Sequence, residues 1–185
     1  MPLTFSPLAI PDIILVTPQT IGDSRGWFRE TYKLNAYAEA GIPATFVQDN
    51  ASHSARGVLR GLHFQREPHA QGKLVSVLHG EVFDVAVDLR VGSPTYGAWV
   101  GETLSADNGC QLWIPAGFAH GFCVTSETAT LSYKVNAPYA AEYDGGVRWN
   151  DPAIGIAWPV TDPVLSAKDE VQPMLAECDH GFTYG

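Results

Sequence analysis

Arg60, Gly61, Leu62 and His63 are followed ten residues later by Lys73, within the segment GVLRGLHFQREPHAQGKLV that runs from Gly57 to Val75. One histidine thus stands between two cations on what reads as two neighbouring strands. Histidine is the only side chain whose unperturbed pKa lies near neutrality, so it takes and returns a proton at physiological pH. Cations beside it can hold the negative charge that forms when a proton leaves carbon. A base next to an anion-stabilising pair is the minimum equipment for proton abstraction beside a carbonyl.

A second histidine, His120, lies in IPAGFAHGF. Gly109, Pro115, Gly117 and His120 keep the G-x5-P-x-G-x2-H spacing of the second cupin motif, and Gly57 and His63 give the G-x5-H opening of the first. Cupins are small double-sheet β-barrels whose motifs line the barrel mouth. In metal-binding cupins the first motif continues as His-x-His and then a Glu. Here Gln65 stands two after His63, and Pro68, His69 and Ala70 occupy the stretch where the Glu is usual. With two potential ligands at most, a three-ligand site with an open position is not supplied, and no metal site is expected. His69 is the one substitute, and Pro68 beside it suggests a loop.

SYKVNAPY, Ser132 to Tyr139, places Tyr133 and Tyr139 around Lys134 at the end of a strand. A tyrosine hydroxyl, with a pKa of about 10, suits delivery of a proton to a carbanion. A histidine base also needs a carboxylate to fix its tautomer. Asp84, Asp88, Asp151 and Asp169 are all candidates, and periodicity does not choose among them.

The elements that must position these groups read mostly as strands. Residues 8–16 (LAIPDIILV) suggest an early strand, Asp23-Ser24-Arg25-Gly26 a turn, and residues 32–40 a helix with Leu34, Tyr37 and Ala38 on one face and Gly41 as its stop. KLVSVLH (73–79) breaks at Gly80, and VFDVAVDLR (82–90) follows, with Phe83, Val85, Val87 and Leu89 alternating with Asp84, Ala86 and Asp88. YGAWVGETL (96–104), CQLWIP, HGFCV and ATLSYKV come next, each bounded by Gly, Pro or Ser/Thr. Short strands at this spacing predict an all-β antiparallel sandwich or barrel, with a short helix beginning at Ser166.

Nothing marks a domain boundary, so residues 1–185 are expected to form one domain. A formal net charge of −9 argues against general nucleic-acid binding. Cys110, Cys123 and Cys178 form neither a metal pair nor an even framework, which suits a reducing cytoplasm. The N-terminal stretch is a poor signal peptide, and no segment approaches the ~20 apolar residues of a membrane span. Only eleven Lys and Arg are present, so an anionic ligand would need several of them to converge.

Seven stretches, in order and nearly end to end, resemble the dTDP-4-dehydrorhamnose 3,5-epimerase family: GDSRGWFRE (22–30), FVQDNASHSARGVLRGLHFQ (46–65), QGKLVSVLHGEVFDVAVDLRVGSPTYGAW (71–99), WIPAGFAHGF (113–122), YKVNAPY (133–139), WNDP (149–152) and LSAKD (165–169). The resemblance implies a cupin jelly-roll barrel, a double-stranded β-helix with a few short helices. It implies a cytoplasmic homodimer that works on a nucleotide sugar, without metal or organic cofactor. Carried over by motif, His63 resembles the base, Asp169 its carboxylate partner, Tyr133 the acid on the opposite face of the sugar, and Lys73 the cation at the keto oxygen. Arg60 and His120 lie nearby in the implied pocket. Arg25, Glu30, Gln48 and Asn50 match nucleotide-sugar contacts, and Tyr139 the aromatic that packs on the base. Because the chain is acidic overall, an anionic diphosphate must be held by local positive charge, and the expected cations are Arg25, Lys168 and Arg148, in that order. Ile21 stands where the family often has an aromatic, while Tyr133 favours inversion of two centres over one. The rival readings are a single-centre epimerase, a metal-dependent cupin and a non-catalytic sugar-binding jelly roll.

Overall fold

The computed structural model describes residues 3–42 and 45–185. Alternating apolar residues cut by Gly and Pro produce short antiparallel strands joined by tight turns. In chain order these are β1 (Leu3–Pro7), β2 (Ile14–Pro18), β3 (Thr20–Asp23), β4 (Gly26–Arg29), β5 (Gln48–Ala55), β6 (Leu59–Gln65), β7 (Lys73–His79), β8 (Glu81–Asp88), β9 (Trp99–Ser105), β10 (Gln111–Ile114), β11 (Phe118–Val124), β12 (Thr128–Val135) and β13 (Asp144–Gly146). The helices are α1 (Leu34–Glu39) and α2 (Ala167–Glu170).

Two antiparallel sheets carry the fold, one ordered β1-β2-β10-β7-β12-β5 and the other β13-β6-β11-β8-β9. They face each other as a jelly-roll barrel, as expected from the sequence. Between them lies a core that includes Val75, Val77, Val82, Ala86, Leu112, Phe118, Phe122 and Leu131. The polar site residues occupy one end of this same interior. A second core covers the outer face of the five-stranded sheet, where Ile154, Leu175 and Phe182 of the C-terminal segment pack on Leu62, Phe64, Val85, Val87 and Leu89. Burying each such side chain contributes about 1.5–3 kcal/mol. The segment is therefore held firmly enough to bring α2 to the edge of β6. Backbone bonds between Leu59 and Val164 and between Val164 and Gly57 fix it there.

The structure revises four local expectations. Residues 8–16 are not one strand: Leu8–Ile13 close a turn, through Leu8 N–H to Ile13 C=O, between β1 and β2. Pro11 breaks the strand there. In α1 only Tyr37 is buried, and Leu34 is 49% exposed, so one turn and a half of helix buries a single ring. The strand expected over 96–104 begins at Trp99, because residues 93–98 form turns anchored on Asp88 through Ser93 and Thr95. In β8 both faces are buried. The apolar alternate (Phe83, Val85, Val87) turns outward under the C-terminal segment, and Val82, Asp84, Ala86 and Asp88 turn into the barrel.

Candidate active site

A regular strand puts residues two apart on one face. Arg60 and His63 are three apart, yet both point into the barrel. The register explains it: Phe122 pairs with Arg60 and His120 with His63, so Gly121 alone spans Gly61 and Leu62. This is a β-bulge, which re-aims side chains without ending the strand. Its chemistry is specific to glycine. Gly61 has φ +130°, and a Cβ on it would lie 2.6 Å from the Cα of Gly121.

The result is a cavity of about 220 Å³ lined by Arg60 and His63 (β6), Lys73 (β7), His120 and Phe122 (β11), Tyr133 (β12) and Ser52 (β5). A second cavity of about 180 Å³ shares His63, Lys73 and Tyr133 and adds Gln65, Gln71, Tyr139, Asp144 and Lys168, making one cleft.

Of the four candidate carboxylates, Asp169 reaches His63. Its Oδ1 accepts a hydrogen bond from His63 Nε2 at 2.6 Å, and its Oδ2 accepts one from the Ser166 hydroxyl at 2.8 Å. Ser166 also caps α2 by accepting from Asp169 N–H. Burial pushes the Asp169 carboxyl up, but the hydrogen bonds from His63 and Ser166 outweigh it and hold the group below its ordinary range. An ionised Asp169 fixes the imidazole proton on Nε2. Nδ1 remains as the basic nitrogen, with no hydrogen bond among the described residues. The other three carboxylates have different partners. Asp84 accepts from His120 Nε2 at 2.9 Å. Asp88 accepts from Arg90, Ser93 and Thr95. Asp151 accepts from Leu175 N–H and Ala153 N–H.

Lys73 is 8% exposed, and its ammonium donates at 3.4 Å to the His63 carbonyl. Burial lowers its pKa to about 8, against the pull of Asp84 and Asp144. His120 is buried, and desolvation lowers its pKa too, against the pull of Asp84. Tyr133 is half-buried, and loss of water raises its hydroxyl above the ordinary value while Arg60 opposes the rise. The Arg60 guanidinium donates to Ser54 on β5.

The remaining expected residues divide into two groups. Gln48 and Asn50, alternate residues of β5 with Ser52, do not line the cavities but adjoin residues that do: Asn50 pairs with Tyr133, and Gln48 donates to Asn50 at 2.8 Å and accepts Tyr139 N–H at 2.9 Å. Tyr139 is 57% exposed, and Lys168 hydrogen-bonds Asp144 beside it. Arg25 and Glu30 do not line this cleft. Arg25 projects from the turn between β3 and β4, with its side chain 87% exposed and paired to Asp23, and Glu30 follows β4. Arg148 also lies outside the cleft lining: its guanidinium donates to the carbonyls of Gln172 and Glu170, which ties the C-terminal segment down.

Sequence reasoning missed Ser52, Phe122, Gln71 and Asp144 as lining residues. The period of two from Gln48 and Asn50 points to Ser52; nothing local signals Asp144, which arrives through the pairing of β13 with β6. The expectation of a loop at His69 holds, and its ring packs on Tyr143. Among the described residues no three His, Cys, Asp or Glu side chains cluster as metal ligands. Chemically, the cleft offers an oriented base, a buried cation and a weakly acidic hydroxyl around one small volume. That set can move a proton off carbon and back.

Comparison with known proteins points the same way. A family model described as dTDP-4-dehydrorhamnose 3,5-epimerase matches residues 7–177. The dTDP-4-dehydrorhamnose 3,5-epimerase of Pseudomonas aeruginosa is 58% identical over 174 residues, covering 93% of this chain and 96% of its own. A dTDP-4-dehydrorhamnose 3-epimerase from Streptomyces niveus is 43% identical over 172 residues, 92% of this chain and 83% of its own. The crystal structure of the Legionella pneumophila 3,5-epimerase in complex with dTDP-4-keto-L-rhamnose superposes with a TM-score of 0.94, at 46% identity and 99% coverage of both chains.

Proposed function

The chain belongs to the dTDP-4-dehydrorhamnose 3,5-epimerase family, and on that footing we propose that it inverts C3 and C5 of dTDP-4-keto-6-deoxyglucose in dTDP-rhamnose biosynthesis. The observation that carries this reading is the cavity common to His63, Lys73, Arg60 and Tyr133, with His63 backed by Asp169. A 4-keto group makes the hydrogens at C3 and C5 acidic, because the carbanion delocalises into an enolate. His63 Nδ1 takes one of these protons, and the C–H electron pair moves into the C=C–O⁻ system. Lys73 and Arg60 stabilise the enolate oxygen in a cleft where reduced water contact strengthens charge interactions. Tyr133 then delivers its hydroxyl proton to the opposite face of the same carbon. His63 and Tyr133 return to their starting states by proton exchange, and the step repeats at the second carbon. Every electron pair stays within the substrate.

Tyr139 offers its ring to the nucleobase, with Gln48 and Asn50 beside it, and Lys168 exchanges Asp144 for the diphosphate. Residues 1–185 act as one domain, and two copies make the working unit. Ile21, Trp27 and Phe28 on the β3–β4 hairpin are 52%, 63% and 66% exposed, an apolar surface that a second copy can cover. In such a dimer the hairpin delivers Arg25 and Glu30 to the partner's cleft, which accounts for their distance from their own. A cytoplasmic setting agrees with three cysteines that form no disulfide. Among the described residues no helix is long and apolar enough to cross a membrane.

The test is NMR in D₂O with dTDP-4-keto-6-deoxyglucose, following label at C3 and C5. Wild type should label and invert both positions, and His63→Ala should nearly abolish both processes. Wash-in at the wild-type rate in that variant would remove His63 as the base, and labelling of one carbon alone would make the chain a single-centre epimerase.

A further inference from the structure

Lys73 presents a physical problem. Its burial, with the nearby charge of Lys168, favours the neutral form, yet an oxyanion is held by an ammonium and not by an amine. Two cations share the cleft with it, Arg60 on β6 and Lys168 on α2, beside the imidazoles of His63 and His120 and the hydroxyls of Tyr133 and Tyr139. Three carboxylates approach from different elements. Asp169 has both oxygens engaged, by His63 and Ser166. Asp144 is paired with Lys168 and approached by the Tyr139 hydroxyl. Asp84, from β8, is different. It is 0% exposed; one oxygen holds His120, and the other, Oδ1, is buried with no hydrogen-bond partner among the described residues. Leaving a carboxylate oxygen dry and unbonded is costly unless a nearby positive charge compensates.

We propose that Asp84 is a positioning residue whose buried charge keeps the ammonium of Lys73 protonated at the floor of the cleft while its second oxygen fixes the ring of His120. The catalytic consequence rests on the epimerase reading given above; the electrostatic pairing does not. Both neighbours respond to Asp84 in the same direction: its charge is the largest influence opposing the desolvation of Lys73 and also of His120. In a catalytic cycle, activity falls as pH rises through the point where Lys73 gives up its proton, and Asp84 sets where that point lies.

The chain has four lysines, Lys33, Lys73, Lys134 and Lys168, so ¹³Cε-lysine labelling resolves them by NMR, with Lys73 assigned by its loss in Lys73→Met. In the ligand-free wild type Lys73 should titrate near pH 8. Asp84→Asn should move that midpoint down by about one unit or more, leave Lys33 unmoved, and shift the alkaline limb of kcat/KM by the same amount. An unshifted Lys73 midpoint in a folded Asp84→Asn protein overturns the proposal, as does a loss of activity independent of pH. If Asp84→Asn does not fold, the double variant Asp84→Asn/Lys73→Gln should, since it removes both charges; a double variant that also stays unfolded overturns the pairing. The titration needs no substrate, so failure of the epimerase reading and failure of this one give different results.

Discussion

Replacing Asp169 by Asn changes one atom type and tests the logic of the whole site. Asp169 is 2% exposed, with Oδ1 on His63 Nε2 at 2.6 Å and Oδ2 on the Ser166 hydroxyl at 2.8 Å. An Asn amide fits this slot in two orientations. With its oxygen toward His63, the tautomer survives and only the charge is lost. A charge-assisted hydrogen bond is stronger than a neutral one by about 1–2 kcal/mol, which corresponds to roughly 5–30-fold in rate. With its NH₂ toward His63, the imidazole proton moves to Nδ1 and the base disappears, a loss on the order of 10⁴. Ser166 decides between them. Its hydroxyl already accepts from the backbone N–H of residue 169 at 3.2 Å. An NH₂ turned toward it would leave its own O–H without the acceptor it now has, so it favours the orientation that offers it an oxygen, the damaging one. The expected loss in kcat for C3 and C5 exchange is about 10³–10⁴-fold. KM should scarcely change, because Asp169 is absent from the cleft lining. Adding Ser166→Ala should recover part of the rate by freeing the amide to turn over. A loss smaller than about tenfold, or one carried mainly by KM, would refute the tautomer argument.

Tyr133→Phe should slow inversion more than deuterium wash-in, since proton removal by His63 survives the change; equal losses measured by NMR would count against its role as acid. Gly61→Ala forces an L side chain to φ +130° with its Cβ 2.6 Å from the Gly121 backbone. The expected cost is about 3 kcal/mol or more, which lowers Tm by roughly 6–12 °C in a chain of this size; an unchanged melting temperature would mean that the bulge relaxes. Trp27→Ser/Phe28→Ser should shift sedimentation from two chains toward one and raise KM, and a wild type that already sediments as a single chain would end the dimer reading.

Most of the side chains that meet in the cleft were legible in the chain. His63, Lys73, His120 and Tyr133 stand at spacings that flag them, and the period of two with Gly and Pro breaks gives an antiparallel barrel. Even the α2 start at Ser166 is local chemistry, a hydroxyl capping its own helix. Those features depend on neighbours a few residues away, and short-range preferences write them into the sequence. Long-range pairing had to settle the rest. Periodicity left four aspartates equivalent and only the family motif pointed to Asp169; the C-terminal segment, anchored by Ile154, Leu175 and Phe182, is what carries it across to His63. Nothing in the chain signals that the Arg148 guanidinium sits on the carbonyls of that segment. The alternation in β8 was visible, but not that both its faces would be covered, which turned Asp84 inward. Arg60 and His63 belong on opposite faces of any regular strand, and it is the bulge against Gly121 that brings them to one cavity. Residue type and spacing thus specify which groups are able to react. Which of them meet depends on strand register and on contacts between residues 100 or more apart, energies that exist only once the two sheets and the C-terminal segment have closed on each other.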